Sequence, residues 1–318
     1  MKMKIGNVEL KNNIILAPMA GVNTSSYRNI CLEHGAGLVC TEMISDKGLA
    51  YENVKTLRMI EIEEKEHPIS MQIFGSDYKT ITASAIQMIN KSPIDILDVN
   101  MGCPFPLITG AGKGAGILAK PDKVKEVLDC VAEFQEIEFS LKVRVGYDSV
   151  EQLFALMPYL NTLPLRHLTV HPRTAKQQYK GEVYIDEFAK IYDYSTLALI
   201  YNGDLKSVAD IKRIVELFPN LKGVMIGRGL LENPMLAEGY MSGMALDIQE
   251  FRSRVQKFHA LLLDEYSAVL QGERQLLTKM QTIWEYLRIP DADERCLKKM
   301  RKCTSLPKYL GLVGEYLK

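Results

Sequence analysis

Short apolar runs alternate with longer segments of helical period along most of the chain. The short runs are rich in Val, Ile and Leu, as strands buried on both faces of a sheet should be. We therefore predict strands over residues 14–18, 37–41, 68–73, 96–100, 139–143, 167–170, 197–201 and 223–226. Between them, apolar positions recur with helical spacing and predict helices over residues 25–34, 53–59, 78–90, 122–134, 150–160, 185–192 and 207–218, with another beginning near residue 230.

This alternation of strands and helices indicates an α/β fold with a parallel sheet. Two architectures fit the pattern: a closed (β/α)₈ barrel and an open, doubly wound sheet. Polar residues follow strands that are spread over the whole chain. The carboxyl ends of all barrel strands converge on one face, whereas in an open sheet they would be strung along an edge. We therefore predict a (β/α)₈ TIM barrel.

The pattern changes after residue 240, where the strand signal stops. Helical periodicity continues over residues 248–270, 273–287, 293–303 and 305–317. We predict a catalytic barrel over residues 1–240 and a small, all-helical C-terminal domain over residues 241–318. So short a domain is expected to pack on the barrel and bury its apolar stripes there.

The overall composition is that of a globular protein, with 47% hydrophobic and 25% charged residues. The net charge is zero, from 39 Lys and Arg against 39 Asp and Glu, and neither requires nor excludes a nucleic-acid partner. Residues 241–318 carry 13 basic and 10 acidic side chains. That modest excess suits a polyanion, and a solvated helical surface is the alternative interpretation.

The cysteines and the hydropathy bear on location and metal binding. The chain has six cysteines, at positions 31, 40, 103, 130, 296 and 303. None forms a CxxC pair, so we expect no zinc site and no other metal. Free thiols in a chain of this size indicate the reducing cytoplasm. No apolar stretch is long enough to span a membrane, so we expect no membrane partner.

The segment Asp98-Val-Asn-Met-Gly-Cys-Pro104 is the most informative part of the sequence. It follows a predicted strand and places Cys103 in a turn at the catalytic face of the barrel. A thiol there can serve as a nucleophile, a general acid or a general base, and the alternative is a small apolar loop residue. Asn100 brings an amide to the same strand end. Gly102 would let the backbone approach a ligand closely.

A glycine-rich stretch, Thr109-Gly-Ala-Gly-Lys-Gly-Ala-Gly116, follows this cysteine. The P-loop pattern is absent because Lys113 is followed by Gly114, and the match to a dinucleotide fingerprint is weak without a preceding strand. Two interpretations remain open: a mobile lid beside the cysteine and a plain flexible connection.

Several later strands also end in polar residues. Lys142 lies inside an apolar strand, and alternation points it opposite to Leu141 and Val143, into the barrel, where a cation needs an anionic or polar partner. His171 and Arg173 end the sixth strand. These residues would converge with the segment around Cys103.

The seventh and eighth strand ends favour a phosphorylated cofactor. They carry Asn202-Gly-Asp204 and Gly227-Arg-Gly229, and barrels often bind phosphate with the loops after these two strands. Ordinary turns are the alternative for each segment alone. Near the first strand, Ala17-Pro-Met-Ala-Gly21 could floor a planar ring, and the amide of Gln72 could bond its edge. One phosphate and one flat ring indicate flavin mononucleotide (FMN), whose reduced form Lys142 would stabilise.

Together these segments resemble the tRNA-dihydrouridine synthases. The resemblance runs in order through Ala17-Pro-Met-Ala-Gly21, Thr41-Glu-Met43, Asp98-Val-Asn-Met-Gly-Cys-Pro104, Lys142-Val-Arg-Val-Gly146, His171-Pro-Arg-Thr174, Asn202-Gly-Asp204 and Gly227-Arg-Gly229. It implies an FMN-bound barrel with a helical domain that helps to hold tRNA. It also implies that NADPH reduces the flavin, that hydride then passes to C6 of a uracil, and that a cysteine protonates C5.

The resemblance assigns roles to individual residues. It makes Cys103 the general acid, and Asn100 and Arg173 the contacts to the target base. The residues that it places around FMN are Pro18, Met19, Ala20, Gln72, Lys142, His171, Asn202, Gly203, Asp204, Gly227 and Arg228. The target uridine must leave its stack to reach a buried flavin. We expect a monomer.

Three alternatives remain at this stage. The nearest is an FMN-dependent oxidoreductase of a free pyrimidine, similar to dihydroorotate dehydrogenase, against which the helical domain and the HxRT segment argue. A non-catalytic tRNA-binding protein would not need Cys103, Lys142 and His171 together. A barrel aldolase would use Lys142 as a Schiff base and would be colourless.

Overall fold

The barrel is closed. A computed structural model describes residues 3–5, 7–134, 138–244 and 247–318. The strands within these ranges are β1 (Met3–Ile5), β2 (Val8–Leu10), β3 (Ile14–Leu16), β4 (Leu38–Ser45), β5 (Ile69–Phe74), β6 (Ile96–Met101), β7 (Phe139–Gly146), β8 (Leu168–Thr174), β9 (Leu199–Asn202) and β10 (Gly223–Ile226). Strands β3 to β10 form a parallel barrel, which closes where Val224 of β10 pairs with Ile14 of β3. The predicted (β/α)₈ TIM barrel is confirmed.

Helices alternate with the barrel strands. They are α1 (Ser25–Glu33), α2 (Asp46–Ala50), α3 (Val54–Leu57), α4 (Tyr78–Lys91), α5 (Pro106–Gly110), α6 (Pro121–Ala132), α7 (Glu151–Leu160), α8 (Ile185–Tyr194), α9 (Val208–Leu217), α10 (Arg228–Glu232) and α11 (Leu236–Ser242). Side-chain caps fix several starts. Asp77 accepts a hydrogen bond from the Thr80 N–H before α4, and Ser207 forms a capping box with Asp210 before α9. The short helices α2 and α5 were not predicted, because their few residues give no measurable period.

Alternation along each strand separates an outer core from the barrel lumen. In β6, Leu97, Val99 and Met101 pack outward in the core that the helices cover. Asp98 and Asn100, on the opposite face of the same strand, are buried in the lumen. The same period of two places Ser70 and Gln72 of β5 in the lumen. The polar lumen positions are therefore set by sequence spacing alone.

The floor of the barrel is apolar. Ile15, Ile96 and Ile200, near the amino ends of their strands, form one buried cluster. Ile5 and Leu10 join this cluster from an antiparallel hairpin made by β1 and β2. This hairpin was not predicted, because its two strands have only three residues each. It closes the lumen at the end away from the polar strand termini.

The C-terminal part of the chain is helical, as predicted, with α12 (Ile248–Val269), α13 (Glu273–Ile283), α14 (Glu294–Lys302) and α15 (Leu306–Tyr316). Its core is organised around the buried Tyr309 hydroxyl. That hydroxyl accepts from the Trp284 indole N–H at 2.7 Å and lies 2.8 Å from His259 Nε2. A buried tyrosine and tryptophan thus satisfy each other's polar groups.

These helices share one continuous hydrophobic cluster with the outside of the barrel. The rings of Tyr27 on α1 and Phe258 on α12 lie 6.1 Å apart. On α13, Lys279 Nζ donates to the Gly21 carbonyl at 2.9 Å. The predicted boundary between residues 240 and 241 falls inside α11, so the division into two domains stays a prediction.

A matched pair of glycine substitutions tests the packing at the barrel wall. A Cβ on Gly37 would lie 2.3 Å from the Asn12 carbonyl oxygen, so Gly37→Ala must displace backbone and should cost about 2–3 kcal/mol of unfolding free energy. Gly314 lies on the exposed face of α15 with nothing near its Cβ position. Gly314→Ala should therefore stabilise by about 0.5–1 kcal/mol. Urea unfolding of both variants checks this, and equal effects would contradict the packing.

Candidate active site

The carboxyl ends of β5 to β8 bring four of the predicted site residues side by side. Asn100 of β6 is the register partner of Lys142 of β7, and Gln72 of β5 pairs with Asp98 of β6. His171 of β8 is the register partner of Arg144 of β7. The sequence predicted this convergence from the positions of strand ends. The structure places these side chains on one wall of the lumen, at its open end.

Cys103 lies just above this wall, in the turn after β6. Its N–H donates to Asn100 Oδ1 at 2.9 Å, and its carbonyl accepts from the Ala115 N–H at 3.0 Å. Partial burial raises the pKa of the Cys103 thiol, against a hydrogen bond from the Phe105 backbone and the charge of Lys142. The thiol therefore keeps its proton at neutral pH, as a proton donor must.

The glycine-rich stretch after the cysteine is packed. Residues 114–119 form a 3₁₀ helix that is buried over residues 114–118. A Cβ on Gly114 would lie 2.8 Å from the Cys103 carbonyl oxygen, and one on Gly116 would lie 2.4 Å from the Thr109 carbonyl oxygen. Lys113 is held by an ion pair of 3.0 Å with buried Asp46. These contacts support the cysteine turn, and the burial of residues 114–118 argues against both a mobile lid and a plain flexible connection.

Lys142 is a buried cation, with 9% of its surface exposed. Burial lowers its pKa to about 8, and the nearby Arg144 charge adds to this, against the attraction of Asp98. Within the described residues, its ammonium has no hydrogen-bond or ion-pair partner. A buried charge without a partner is costly, so this group calls for an anionic or polar ligand.

His171 and Arg173 form a second part of the site with Asp204 and Arg228. Arg173 forms an ion pair with Asp204, and Arg228 Nη2 lies 2.8 Å from Asp204 Oδ1. Arg173 Nη1 also donates to His171 Nε2 at 3.3 Å. A guanidinium can only donate, so His171 is neutral and carries its proton on Nδ1. Burial lowers the pKa of His171, and the surrounding cations lower it further.

The first and last barrel loops meet beside this cluster. A Cβ on Gly227 would lie 3.4 Å from Met19 Sδ, which brings the segment Pro18-Met-Ala20 next to Arg228. Asn202 Nδ2 donates to the Met225 carbonyl at 2.8 Å and joins the ends of β9 and β10. Asp204 has φ of +44°, a strained conformation of the kind that is common at functional sites.

A Cβ on Gly203 would lie 3.2 Å from Val183 and 3.4 Å from Pro172. Like Gly227, it therefore lets other groups approach the backbone closely. The predicted cofactor-binding segments all lie around one mouth.

Two residues that the sequence analysis passed over also line the mouth. The buried Arg144 donates to the carbonyls of Gly102, Thr174 and Gln178 at 3.0, 2.9 and 2.7 Å. The exposed Tyr179 ring has the Arg144 guanidinium at 5.4 Å and that of Arg228 at 4.8 Å. Arg144 follows Lys142 by two residues, so strand alternation would have found it. Tyr179 lies in an irregular loop whose position no local pattern specifies.

The described ranges contain neither a candidate metal site nor a candidate membrane-spanning helix. Across them, no three His, Cys, Asp or Glu side chains group in a way that would hold a metal ion. No helix in the same part of the chain combines the length and apolar composition that crossing a membrane requires.

Comparison with known proteins identifies one matching family. Residues 15–305 match the family model of dihydrouridine synthase. The tRNA-dihydrouridine synthase B of Pasteurella multocida (strain Pm70) is 32% identical over 235 residues, which cover 74% of this chain and 70% of that protein. The tRNA-dihydrouridine synthase B of Vibrio cholerae is 30% identical over 271 residues, or 85% of this chain and 81% of that protein.

Solved structures share the fold at low identity. Morphinone reductase matches with a TM-score of 0.58 and 17% identity, over 79% of this chain and 91% of that chain. The old yellow enzyme from Trypanosoma cruzi matches with a TM-score of 0.60 and 11% identity, over 78% of this chain and 92% of that chain. At these identities the likeness supports the barrel architecture alone.

Buried histidines should make the chain sensitive to acid. Burial lowers the pKa of His167 to about 3 and of His259 to about 4, and lowers that of His171 as well. Below the ordinary value near 6.5, the unfolded chain binds protons that the folded chain refuses, so stability falls as pH drops. Each histidine contributes a slope of about 1.4 kcal/mol per pH unit.

Urea unfolding between about pH 6 and 4.5 measures this slope. His167→Asn should reduce the slope by about 1.4 kcal/mol per pH unit, the contribution of one histidine. An unchanged slope in the variant would show that His167 takes no part.

Proposed function

The chain belongs to the dihydrouridine synthase family, and on that premise we propose that it reduces the C5–C6 double bond of specific uridines in tRNA. The observation that carries this proposal is the placement of Cys103: its N–H bonds Asn100, which is the register partner of Lys142, a buried cation without a partner among the described residues. An acid and a cation at one barrel mouth suit the addition of a proton and a hydride to a conjugated double bond.

The residues at the mouth fit FMN. Lys142 offers an unpartnered buried charge, and the mouth also carries the guanidinium groups of Arg144, Arg173 and Arg228. At Gly203 and Gly227 the backbone lies close to Val183 and Met19, so these two turns pack tightly at the rim of the mouth. The residues that we propose hold FMN are Pro18, Met19, Ala20, Gln72, Lys142, His171, Asn202, Gly203, Asp204, Gly227 and Arg228. When bound, the flavin supplies hydride from NADPH to C6 of the uracil.

The two cations Arg228 and Lys142 would bind different parts of the cofactor. Arg228 would bind the cofactor phosphate, since it is half-buried and already oriented by Asp204. Lys142, with a pKa near 8, stays mostly protonated at neutral pH and would favour negative charge on the cofactor ring. His171 is neutral and would donate its Nδ1 hydrogen to the cofactor without adding charge.

Cys103 would supply the proton. Its S–H bond breaks as a C–H bond forms at C5, and the hydride at C6 completes the reduction. The thiolate that remains is favoured by a hydrogen bond from the Phe105 backbone and by the charges of Lys142 and Arg144. Solvent then returns a proton to the sulfur, which Cys103 can reach because it is only partly buried.

We keep Asn100 and Arg173 as the contacts to the target base. Arg173 is 2% exposed, and its guanidinium already bonds Asp204, the Gly181 carbonyl and His171, so contact with the base would require one of these bonds to break. Beside the cysteine, Phe105 is 57% and Leu107 78% exposed. Such apolar side chains would pack against the neighbours of a uridine that has left its stack.

The C-terminal helices would provide part of the tRNA surface. We further propose that the chain acts as a monomer in the cytoplasm and uses NADPH as its reductant. A free pyrimidine is the alternative substrate, and the assay should therefore compare tRNA with uridine and orotate.

Replacement of the cysteine tests the chemistry. Cys103→Ala should lower dihydrouridine formation in unmodified tRNA at least about hundredfold, because the acid is lost. Flavin content and NADPH oxidation should persist. Mass spectrometry of digested nucleosides gives the yield, and Cys303→Ala, which removes another half-buried thiol, serves as the control. A variant without Cys103 that keeps most of its yield would exclude this role.

Replacement of the arginine tests the cofactor site. Arg228→Ala should weaken FMN binding by about 10- to 100-fold, the worth of one charged hydrogen bond to phosphate. Flavin fluorescence during titration gives the dissociation constant. Arg213→Ala, which changes an exposed arginine on α9, should leave it unchanged. Equal FMN dissociation constants for the two variants would show that Arg228 does not bind the phosphate.

A further inference from the structure

A row of buried polar side chains runs beneath Cys103 and ends at Asp98. Ser140 Oγ donates to Asp98 Oδ1 at 2.6 Å, and Gln72 Nε2 donates to Asp98 Oδ2 at 2.5 Å. Gln72 Oε1 accepts from Asn100 Nδ2 at 2.7 Å. These residues come from β5, β6 and β7, and each of them is at most 4% exposed. We call Asp98, Gln72 and Asn100 the amide relay.

The relay reaches the cysteine through the backbone. Asn100 Oδ1 accepts from the N–H of Gly102 at 3.1 Å and from the N–H of Cys103 at 2.9 Å. No other side chain within the described residues accepts a hydrogen bond from either N–H. The oxygen of Asn100 therefore holds the turn that carries the thiol.

Chemistry at both ends dictates one orientation of the two amides. Backbone N–H groups can only donate, so Asn100 must turn its oxygen to Cys103 and its NH₂ group to Gln72. Gln72 must then turn its oxygen to Asn100 and its NH₂ group to Asp98. A carboxylate, which only accepts, is the group that matches this last donor.

We propose that Asp98 is a positioning residue that orients Gln72 and Asn100 and thereby holds the backbone of Cys103 in place. The inference rests on the proposed function in one respect, because the role of Cys103 as an acid comes from there. Asp98 itself is only 1% exposed. It acts through the amide relay.

An anion at this position is consistent with its surroundings. Asp98 is buried, which raises its pKa, whereas hydrogen bonds from Gln72 and Ser140 and the charge of Lys142 favour the ionised form. Two short donors to its two oxygens satisfy the carboxylate without water. A buried network in which every donor meets an acceptor is rigid.

The relay can be reversed by moving the negative charge two residues. In Asp98→Asn combined with Asn100→Asp, the carboxylate at position 100 accepts from Gln72 and from the N–H of Cys103. Gln72 then turns its oxygen to position 98, where the new amide donates to it and accepts from Ser140. Every group is again satisfied.

The single substitutions lack this match. Asn100→Asp alone puts carboxylates on both sides of Gln72, whose amide has only one donating end. Asp98→Asn alone offers Gln72 an acceptor in only one of the two orientations of the new amide, with Ser140 left to accept from it, so Gln72 is held less firmly at this end of the relay.

Hydrogen exchange at the Cys103 amide, followed by mass spectrometry on the flavin-loaded protein, reads out the relay. Asn100→Asp should exchange at least about tenfold faster than wild type. Adding Asp98→Asn should restore slow exchange. Asp98→Asn alone should fall between them and lower kcat for tRNA reduction severalfold, with KM for tRNA unchanged. An Asn100→Asp variant that fails to fold, beside a folded double variant, would support the same conclusion.

Additive effects would overturn the proposal. If Asn100→Asp exchanges equally fast with and without Asp98→Asn, then Asp98 does not set the orientation of the amides. An Asp98→Asn variant with wild-type exchange and wild-type kcat would also overturn it. The exchange cycle needs no RNA, so it decides on the relay even if wild-type protein leaves tRNA unreduced, a result that would overturn only the proposed function.

Discussion

Burial of the barrel strands on both faces is the constraint on which the site depends. Each strand must alternate between the helix-covered core and the lumen, so any polar residue at a lumen position is taken out of water. On β5 to β8 these positions carry Gln72, Asp98, Asn100, Lys142 and His171. Their polar groups must find partners within the lumen or in a ligand. Gln72, Asp98 and Asn100 find partners in one another, whereas Lys142 is left to find its partner in a ligand.

The electrostatics of the mouth follow from the same burial. Four cationic side chains surround His171 and, together with its desolvation, keep it neutral. Asp204 holds two of these cations, Arg173 and Arg228, within one ion-pair cluster. It fixes the direction of both guanidinium groups while leaving the mouth with an excess of positive charge. A flat, anionic cofactor would neutralise this excess of positive charge.

Sequence patterns predicted the barrel, the C-terminal helices and the strand ends that carry Cys103 and Lys142, because periodicity and burial are local properties. Other features depend on contacts between distant segments. The turn of the glycine-rich stretch is fixed by close approach to the Cys103 carbonyl, which no spacing reveals. Tyr179 lies in a loop whose carbonyl groups are held at the site by Arg144 and Arg173. The role proposed for Asp98 depends on the orientation of the Gln72 and Asn100 amides, which lie on different strands and meet only in the folded barrel.

The helices after residue 247 are packed closely against the barrel. Their core is continuous with the outer core of the barrel, and Phe258 packs against Tyr27 on α1. Lys279 bonds the Gly21 carbonyl, next to the loop that we assign to the flavin. A chimaera made by exchanging only this region between family members would expose a foreign surface to α1 and to that loop. Grafts intended to alter which uridine is chosen should therefore carry α1 and the loop before it with the helices.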